Sequence, residues 1–297
     1  MGSEKKYSHV LDKFQHIVPL SDVDRIHFID QPRWIGYGKA HRALTIMEGL
    51  LSKTKQHRMP NIMIIGDSNN GKTTLINRFF EKFGQEIDDE YYESSIPVIL
   101  IQAPPVASEK ELYIALLERL ALPYRSTDAT AKLRYQVVHA FLCCNVKLLI
   151  IDEIHSLLTG TARQQMQIMN VIKYLCNELK LPIVVAGTSD AIRVLHTDPQ
   201  HLSRFDVLEL ENWNNNEEFR RLLGSFERVM PLRKPSELSS PDKARLIHSI
   251  SDGKIGNVRR LISECAIEAI VTGSEQIDES AIKKRLCKKN TSYRIIE

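Results

Sequence analysis

A glycine-rich stretch in the first third of the chain has the residue types of a phosphate-binding loop. The segment IIGDSNNGKTTLI spans residues 64–76, and its centre fits the pattern G-x-x-x-x-G-K-[ST]. Glycines let the backbone wrap so that N–H groups face a phosphate, and the start of a helix adds a favourable dipole. Lys72 is expected to reach the β- and γ-phosphates of ATP, and the Thr73 hydroxyl to ligate Mg²⁺. An ordinary glycine turn is the competing interpretation. The predicted nucleotide contacts are Gly66, Asp67, Ser68, Asn69, Asn70, Gly71, Lys72, Thr73 and Thr74.

A second segment carries two adjacent carboxylates. The sequence LLIIDEIH, residues 148–155, is an apolar run that ends in Asp152 and Glu153. Open α/β sheets bind ligands beyond the carboxyl ends of their strands. We therefore expect Asp152 to hold Mg²⁺ and Glu153 to polarise an attacking water as a general base. A pair of helix caps is the alternative. The two segments together predict ATP and Mg²⁺ as ligands and ATP hydrolysis as the reaction.

Hydrophobic periodicity predicts the elements that must position these residues. Strands are expected within residues 61–66, 96–104, 146–155, 181–190 and 205–211. Helices are expected at 72–83, 108–121, 130–144 and 161–180. In the last of these, Met166 and Met169 are expected in the core, and the acidic stretch 84–94 is expected to be a loop. Strands that alternate with helices predict a three-layer α/β fold with a parallel sheet.

After about residue 213 the strand patterns stop and helical patterns continue through 217–230, 241–250, 257–271 and 278–287. This change predicts a second, all-helical domain. The predicted organisation is an N-terminal extension at 1–38, a P-loop domain at 39–212, a helical lid domain at 213–287 and a basic tail at 288–297.

Composition narrows the class of protein. The chain has 297 residues, of which 43% are hydrophobic and 26% charged, as in an ordinary globular protein. A formal charge of +3 does not by itself indicate a nucleic-acid partner. Apolar runs fall short of the roughly 20 residues that span a bilayer, so we expect no membrane association. The cysteines lack metal-site spacing and predict buried free thiols in a reducing cytoplasm. They are Cys143, Cys144, Cys176, Cys265 and Cys287.

The chain resembles the AAA+ ATPases and, more closely, the TniB/TnsC family of DNA transposition regulators. The resemblance covers nearly the whole chain. It rests on GDSNNGKTTL, on QAPP at 102–105, on LLIIDEIH, on VVAGT at 184–188 and on LSRF at 202–205, with RWIGY further upstream. It implies a P-loop AAA+ domain with a C-terminal helical lid.

The resemblance also implies further site residues. Thr188 or Ser189 corresponds to sensor 1, and Arg204 to the arginine finger that reaches a neighbouring subunit. Arg259 in GNVRRL matches sensor 2, with Arg260 as the competing choice. An adenine-side wall is implied for Trp34, Ile35 and Tyr37. Each assignment has an alternative. In the alternatives, the hydroxyls simply end a strand, Arg204 forms a surface salt bridge, Arg259 and Arg260 are a solvated basic pair, and the adenine-side residues serve ordinary packing.

Three functions stay open at this point. The resemblance implies an ATP-dependent regulator that forms a ring or helical filament on duplex DNA, serves a transposase and a target-selection protein, and hydrolyses ATP to disassemble. A loader or remodeller of a protein client, such as a replicative helicase, is the alternative, and a signalling switch is the third. Phosphate contacts to DNA are expected, with Lys110 ranked first, from Lys110, Arg125, Thr127, Lys132 and Arg134.

Overall fold

The computed structural model describes residues 7–84, 87–89, 92–158, 160–192 and 204–293. The chain divides into two compact units. The sheet unit is Gly38–Glu211, and the helical unit combines Met1–Tyr37 with Asn212–Glu297. The N-terminal stretch, which we predict to be an extension, is therefore grouped with the C-terminal helices.

The sheet unit is built on a five-stranded sheet in the order β4-β5-β6-β1-β7, and all its neighbouring strands are parallel. Its central strands β1, β5 and β6 are buried along their whole length, as strands covered on both faces are. The predicted parallel α/β sheet is thus confirmed. The described strands are β1 (Asn61–Ile65), β2 (Ile87–Asp89), β3 (Tyr92–Ser95), β4 (Val98–Gln102), β5 (Leu148–Asp152), β6 (Ile183–Gly187) and β7 (Phe205–Glu209).

The helices follow their predicted positions closely, because apolar residues at helical spacing need a buried face. In the sheet unit the described helices are α2 (Gly38–Leu51), α3 (Lys72–Phe83), α4 (Glu109–Arg119), α5 (Thr130–Cys143) and α6 (Ala162–Leu179), with a short 3-10 helix at Ile154–Leu158. In the helical unit they are α1 (Asp22–Asp30), α7 (Glu217–Glu227), α8 (Pro241–Ser251), α9 (Ile255–Val271) and α10 (Glu279–Tyr293), with a 3-10 helix at Asp12–Ile17.

Several local expectations were wrong. The stretch expected to be an acidic loop contains the antiparallel strands β2 and β3. Met166 is 55% exposed because the buried stripe of α6 begins at Ile168, whereas Met169 is buried as expected. The backbone of α10 continues to Tyr293, into the predicted tail, and residues 294–297 lie outside the described part.

The cysteines also differ from one another. Cys176 and Cys265 are buried, whereas Cys143 is exposed because it lies on the outer face of α5. The side chain of Cys287 lies outside the described part. In the described residues, no helix is both long enough and apolar enough to cross a bilayer.

A buried ion pair ties the N-terminal stretch into the helical unit. Arg25 of α1 has no exposed surface. Its guanidinium donates to both carboxylate oxygens of Glu275, at 2.7 and 2.8 Å, and to the Pro231 carbonyl at 3.2 Å. It also donates to Asp22 at 2.7 Å. Charged groups are seldom buried unless they are paired in this way, so residues near α1 are integral to this unit.

Candidate active site

The glycine-rich loop connects β1 to α3, as the motif requires. Asn69 and Gly71 have φ values of 62° and 82°, in the left-handed region that glycine adopts without strain. A Cβ on Gly66 would lie 2.7 Å from the Leu210 carbonyl oxygen, so no larger residue fits there. The buried Asn70 amide donates to that same carbonyl. The loop is therefore braced on the chain that leaves β7.

Lys72 begins α3 and is almost fully buried, with 6% of its surface exposed. Its ammonium donates to the carbonyls of Gly66 and Asp67, each at 2.8 Å. Burial lowers the pKa of Lys72, and the negative charges of Glu153, Asp152 and Asp67 oppose that effect. The loop thus wraps around a positive group at the start of a helix, which is an arrangement suited to phosphate.

Thr73 and Asp152 meet across the carboxyl edge of the sheet. The Thr73 hydroxyl donates to Asp152 Oδ2 at 2.7 Å. Asp152 ends β5 and is 6% exposed, and its carbonyl accepts the Ala103 N–H at 2.8 Å. Hydroxyl and carboxylate oxygens are the hard ligands that Mg²⁺ prefers, and Mg²⁺ sites use few protein groups. These two side chains fit such a site.

Glu153 follows β5 with a φ of 57°, an uncommon value for a residue other than glycine. Its N–H donates to Asp152 Oδ1 at 2.8 Å. Its carboxylate Oε2 lies 3.1 Å from Nε2 of His155. Such backbone conformations cluster at functional sites. The contact to His155 was not foreseen from the sequence, although the histidine stands two residues beyond the acidic pair.

Thr188 and Ser189 directly follow β6, the strand that lies between β1 and β5. Their position is therefore between the glycine-rich loop and the acidic pair. Thr188 is half-buried and Ser189 is exposed. A Cβ on the preceding Gly187 would lie 2.8 Å from Cγ2 of Ile154, so the end of β6 packs closely on the turn that follows Glu153.

Arg204 directly precedes β7. Its guanidinium donates to Oδ1 of Asn177 on α6, at 3.0 Å, and so has a neutral partner in its own chain. The preceding residues of the LSRF segment, Leu202 and Ser203, lie outside the described part.

The two arginines of GNVRRL differ in their surroundings. Arg260 pairs with Glu264 at 3.1 Å and is exposed. Arg259 instead donates to the Gln31 carbonyl at 3.3 Å, and Arg33 donates to the Gln31 side chain at 2.9 Å. Burial and the positive charge of Arg259 lower the pKa of Arg33. Within the described residues, Arg259 has no carboxylate partner, so its charge is the one available to an anion.

The residues suggested for an adenine-side wall are used in packing. Ile35 and Tyr37 contact the core of the helical unit. The Tyr37 ring lies edge-on to Trp213 with centroids 5.2 Å apart, and burial raises the pKa of Tyr37. Trp34 is half-buried. Both side chains are only half-buried, and the adenine-side wall stays a prediction.

The basic residues suggested for DNA fall into two groups. Lys110 donates to the Ser126 carbonyl at 2.6 Å, which brings it beside the exposed Thr127 and Arg125. The other two are already engaged. Lys132 pairs with Asp128 at 2.8 Å, and Arg134 lies over the Tyr174 ring at 5.4 Å.

The strand order, the loop after β1 and the acidic pair after β5 define a P-loop protein of the AAA+ class, and solved structures agree. The ORC2 protein of Aeropyrum pernix, in ADPNP–ADP complexes, matches with a TM-score of 0.62 and 16% identity over 88% of this chain and 71% of that one. CDC6P of Pyrobaculum aerophilum matches with a TM-score of 0.62 and 15% identity, over 86% of this chain and 69% of that one. The ORC1 protein of Aeropyrum pernix, in complex with DNA, matches with a TM-score of 0.59 and 12% identity, over 89% of this chain and 69% of that one.

At these identities the likeness establishes the fold alone. The family comes from sequence: the family model described as bacterial TniB protein matches residues 25–215. The chain belongs to the TniB family. No curated protein matches it in sequence.

Proposed function

We propose that this protein is an ATP-dependent, DNA-binding regulator of DNA transposition. It assembles as a ring or helical filament on duplex DNA, recruits or activates a transposase, and hydrolyses ATP to disassemble. The observation that carries the ATPase part is the 2.7 Å contact between Thr73 and Asp152, which joins the two motifs at one sheet edge. The transposition part rests on membership of the TniB family.

The chemistry follows from the placed side chains. Lys72 neutralises phosphate charge, and Thr73 with Asp152 would hold Mg²⁺, which supplies charge neutralisation at the phosphates when bound. Glu153 accepts a hydrogen bond from a water and orients it toward the γ-phosphate. Thr188, between the two motifs, is proposed as sensor 1 in preference to the exposed Ser189.

Assembly completes this site. Arg204 is proposed as the arginine finger of a neighbouring subunit, and its own-chain partner Asn177 is neutral, so release from it strands no buried charge. Arg259 is proposed as sensor 2 because Arg260 is already paired with Glu264. Since the finger comes from a neighbour, hydrolysis by an isolated subunit is slow. ATP favours the assembled state only by its higher affinity for that state.

Lys110 is the leading candidate for DNA contact. It stands beside the exposed Thr127 and Arg125, and together they offer an ammonium, a hydroxyl and a guanidinium to the phosphate backbone. Contacts of this kind do not depend on base sequence. A protein that selects its location through a target-selection partner needs no base readout. The ORC1 protein of Aeropyrum pernix, which shares this fold, is in complex with DNA in its solved structure, and this supports the proposal of DNA binding.

The test is assembly on mixed-sequence duplex DNA without nucleotide, with ADP and with a non-hydrolysable ATP analogue. Size analysis and a salt titration accompany it, because the salt slope counts the phosphates neutralised. We expect the protein to assemble on the DNA with the ATP analogue, but not with ADP or without nucleotide. Lys72→Ala and Arg204→Ala abolish it, and Lys110→Ala weakens it.

Lys132→Ala is the matched control, because Lys132 is equally basic but is paired with Asp128. If the protein binds ATP yet ignores DNA in every nucleotide state, the transposition proposal fails. A pull-down with the Glu153→Gln variant then identifies the client of a loader or remodeller instead.

A further inference from the structure

The contact between Glu153 and His155 involves a side chain that stands two residues after the acidic pair. His155 Nε2 lies 3.1 Å from Glu153 Oε2, and both side chains are 34% exposed. A donor at Oε2 fixes the carboxylate and leaves its other oxygen, Oε1, to accept from water. Without such a partner, a half-exposed glutamate has several rotamers of similar energy.

The backbone of this turn is already fixed from other directions. Ile154 is fully buried, and its Cγ2 closely approaches the end of β6 at Gly187. The Ser156 N–H donates to the Glu153 carbonyl at 2.9 Å. The turn therefore sets where the Glu153 side chain starts, but these contacts do not set where its carboxylate ends.

The other ring nitrogen of His155, Nδ1, supports this role for the contact at Nε2. Nδ1 is buried and has no hydrogen-bond partner among the described residues. Buried polar atoms are nearly always paired, and each exception calls for an explanation. Because Nδ1 makes no hydrogen bond within the described part of the chain, it does not help to orient the imidazole ring. The contact of Nε2 with Glu153 is therefore the polar contact that orients it.

We propose that His155 is a positioning residue for the general base Glu153. Its Nε2–H donates to Oε2 and holds the carboxylate in one rotamer, so that Oε1 faces the attacking water. This inference rests on the proposed ATPase function. It concerns hydrolysis and not nucleotide affinity, because His155 acts through Glu153.

The experiment compares steady-state ATP hydrolysis on duplex DNA by the full chain and its variants. His155→Leu is expected to lower kcat about tenfold, the lower end for loss of an orienting partner. Its KM for ATP stays within about twofold, since ground-state binding is unchanged. His155→Gln, which keeps an N–H donor at similar reach, restores most of kcat. In the Glu153→Gln background, His155→Leu has no further effect.

Three results would overturn the proposal: an unchanged kcat in His155→Leu, equal losses in His155→Leu and His155→Gln, or additive losses in the double variant. Failure of the ATPase function is distinct, because Lys72→Ala and Glu153→Gln would then match the wild type. If the wild type hydrolyses no ATP, nitrogen NMR of labelled histidine tests the contact between His155 and Glu153 directly. The His155 signal, assigned by its absence in His155→Gln, must show the Nε2–H form and must shift in Glu153→Gln, and an unshifted signal refutes the contact.

Discussion

The buried pair of Arg25 and Glu275 allows a stability prediction with a worked magnitude. Arg25→Met removes four hydrogen bonds, to Glu275 twice, to Asp22 and to the Pro231 carbonyl. It leaves Glu275, whose side chain is 8% exposed, with the Arg233 guanidinium at 3.5 Å and the Arg233 N–H at 3.2 Å. Breaking a buried pair costs about 3–5 kcal/mol. Because Arg233 still compensates part of the charge, we expect about 3 kcal/mol, the lower end of that range.

The pH dependence gives the same prediction a second signature. Burial raises the pKa of Glu275, but the hydrogen bonds and charges of Arg25 and Arg233 outweigh it, so the net pKa lies below the ordinary 4.5. A lowered pKa contributes stability at neutral pH that is lost as pH falls through the folded value. In Arg25→Met burial dominates and the pKa rises, so protonation of Glu275 becomes favourable. The gap in free energy of unfolding between variant and wild type therefore narrows as pH falls.

Urea unfolding followed by tryptophan fluorescence measures this, because both tryptophans, Trp34 and Trp213, belong to the helical unit. Asp22→Asn is the control. Asp22 is 59% exposed, so its loss is expected to cost less than about 1 kcal/mol. A cost for Arg25→Met no greater than that of the control would refute the reasoning. A gap that widens toward acid pH would refute it equally.

Three further predictions concern packing, anion binding and thiol reactivity. Gly187→Ala is expected to destabilise the sheet unit by about 1–3 kcal/mol, since the added Cβ meets the fully buried side chain of Ile154. Urea unfolding followed by circular dichroism measures this, and an unchanged unfolding midpoint contradicts that packing. Arg259→Ala weakens binding of a fluorescent ATP analogue about tenfold, as loss of a charged hydrogen bond does, while Arg260→Ala does not; equal effects contradict the assignment. Burial raises the pKa of Cys265 to about 11, so Ellman's reagent modifies exposed Cys143 in the native protein and Cys265 only after unfolding; simultaneous reaction contradicts the burial.

The sequence predicted the sheet well because its signals are local. Each central strand is a short apolar run with polar residues at its end or directly after it, so Asp152 and Thr188 could be placed without knowing the topology. The contact between Thr73 and Asp152 required only that strands of one parallel sheet share a carboxyl edge.

What the sequence did not predict depends on distant pairing. Nothing near Arg25 in the sequence indicates Glu275, 250 positions away, so the sequence does not predict this buried pair. The choice between Arg259 and Arg260 depends only in part on distant pairing. Gln31 reaches Arg259 through packing, whereas Glu264 lies four residues after Arg260 on the same helix, a spacing that the sequence already shows. The roles of the site residues stay predictions until the variants are measured.

The sheet unit is one continuous segment, whereas the helical unit is made from two, and this has a consequence for protein engineering. Where the chain enters and leaves the sheet unit, Lys39 pairs with Glu211 at 2.7 Å. On the helical side of the same two crossings, the rings of Tyr37 and Trp213 lie 5.2 Å apart. Topologically the sheet unit is therefore an insertion into the helical unit, at a point where the two ends of the insertion are close. Joining Tyr37 to Trp213 by a short linker is expected to yield the helical unit alone, and residues 38–211 are expected to yield the sheet unit. Cutting the chain at a single position would not separate the two units.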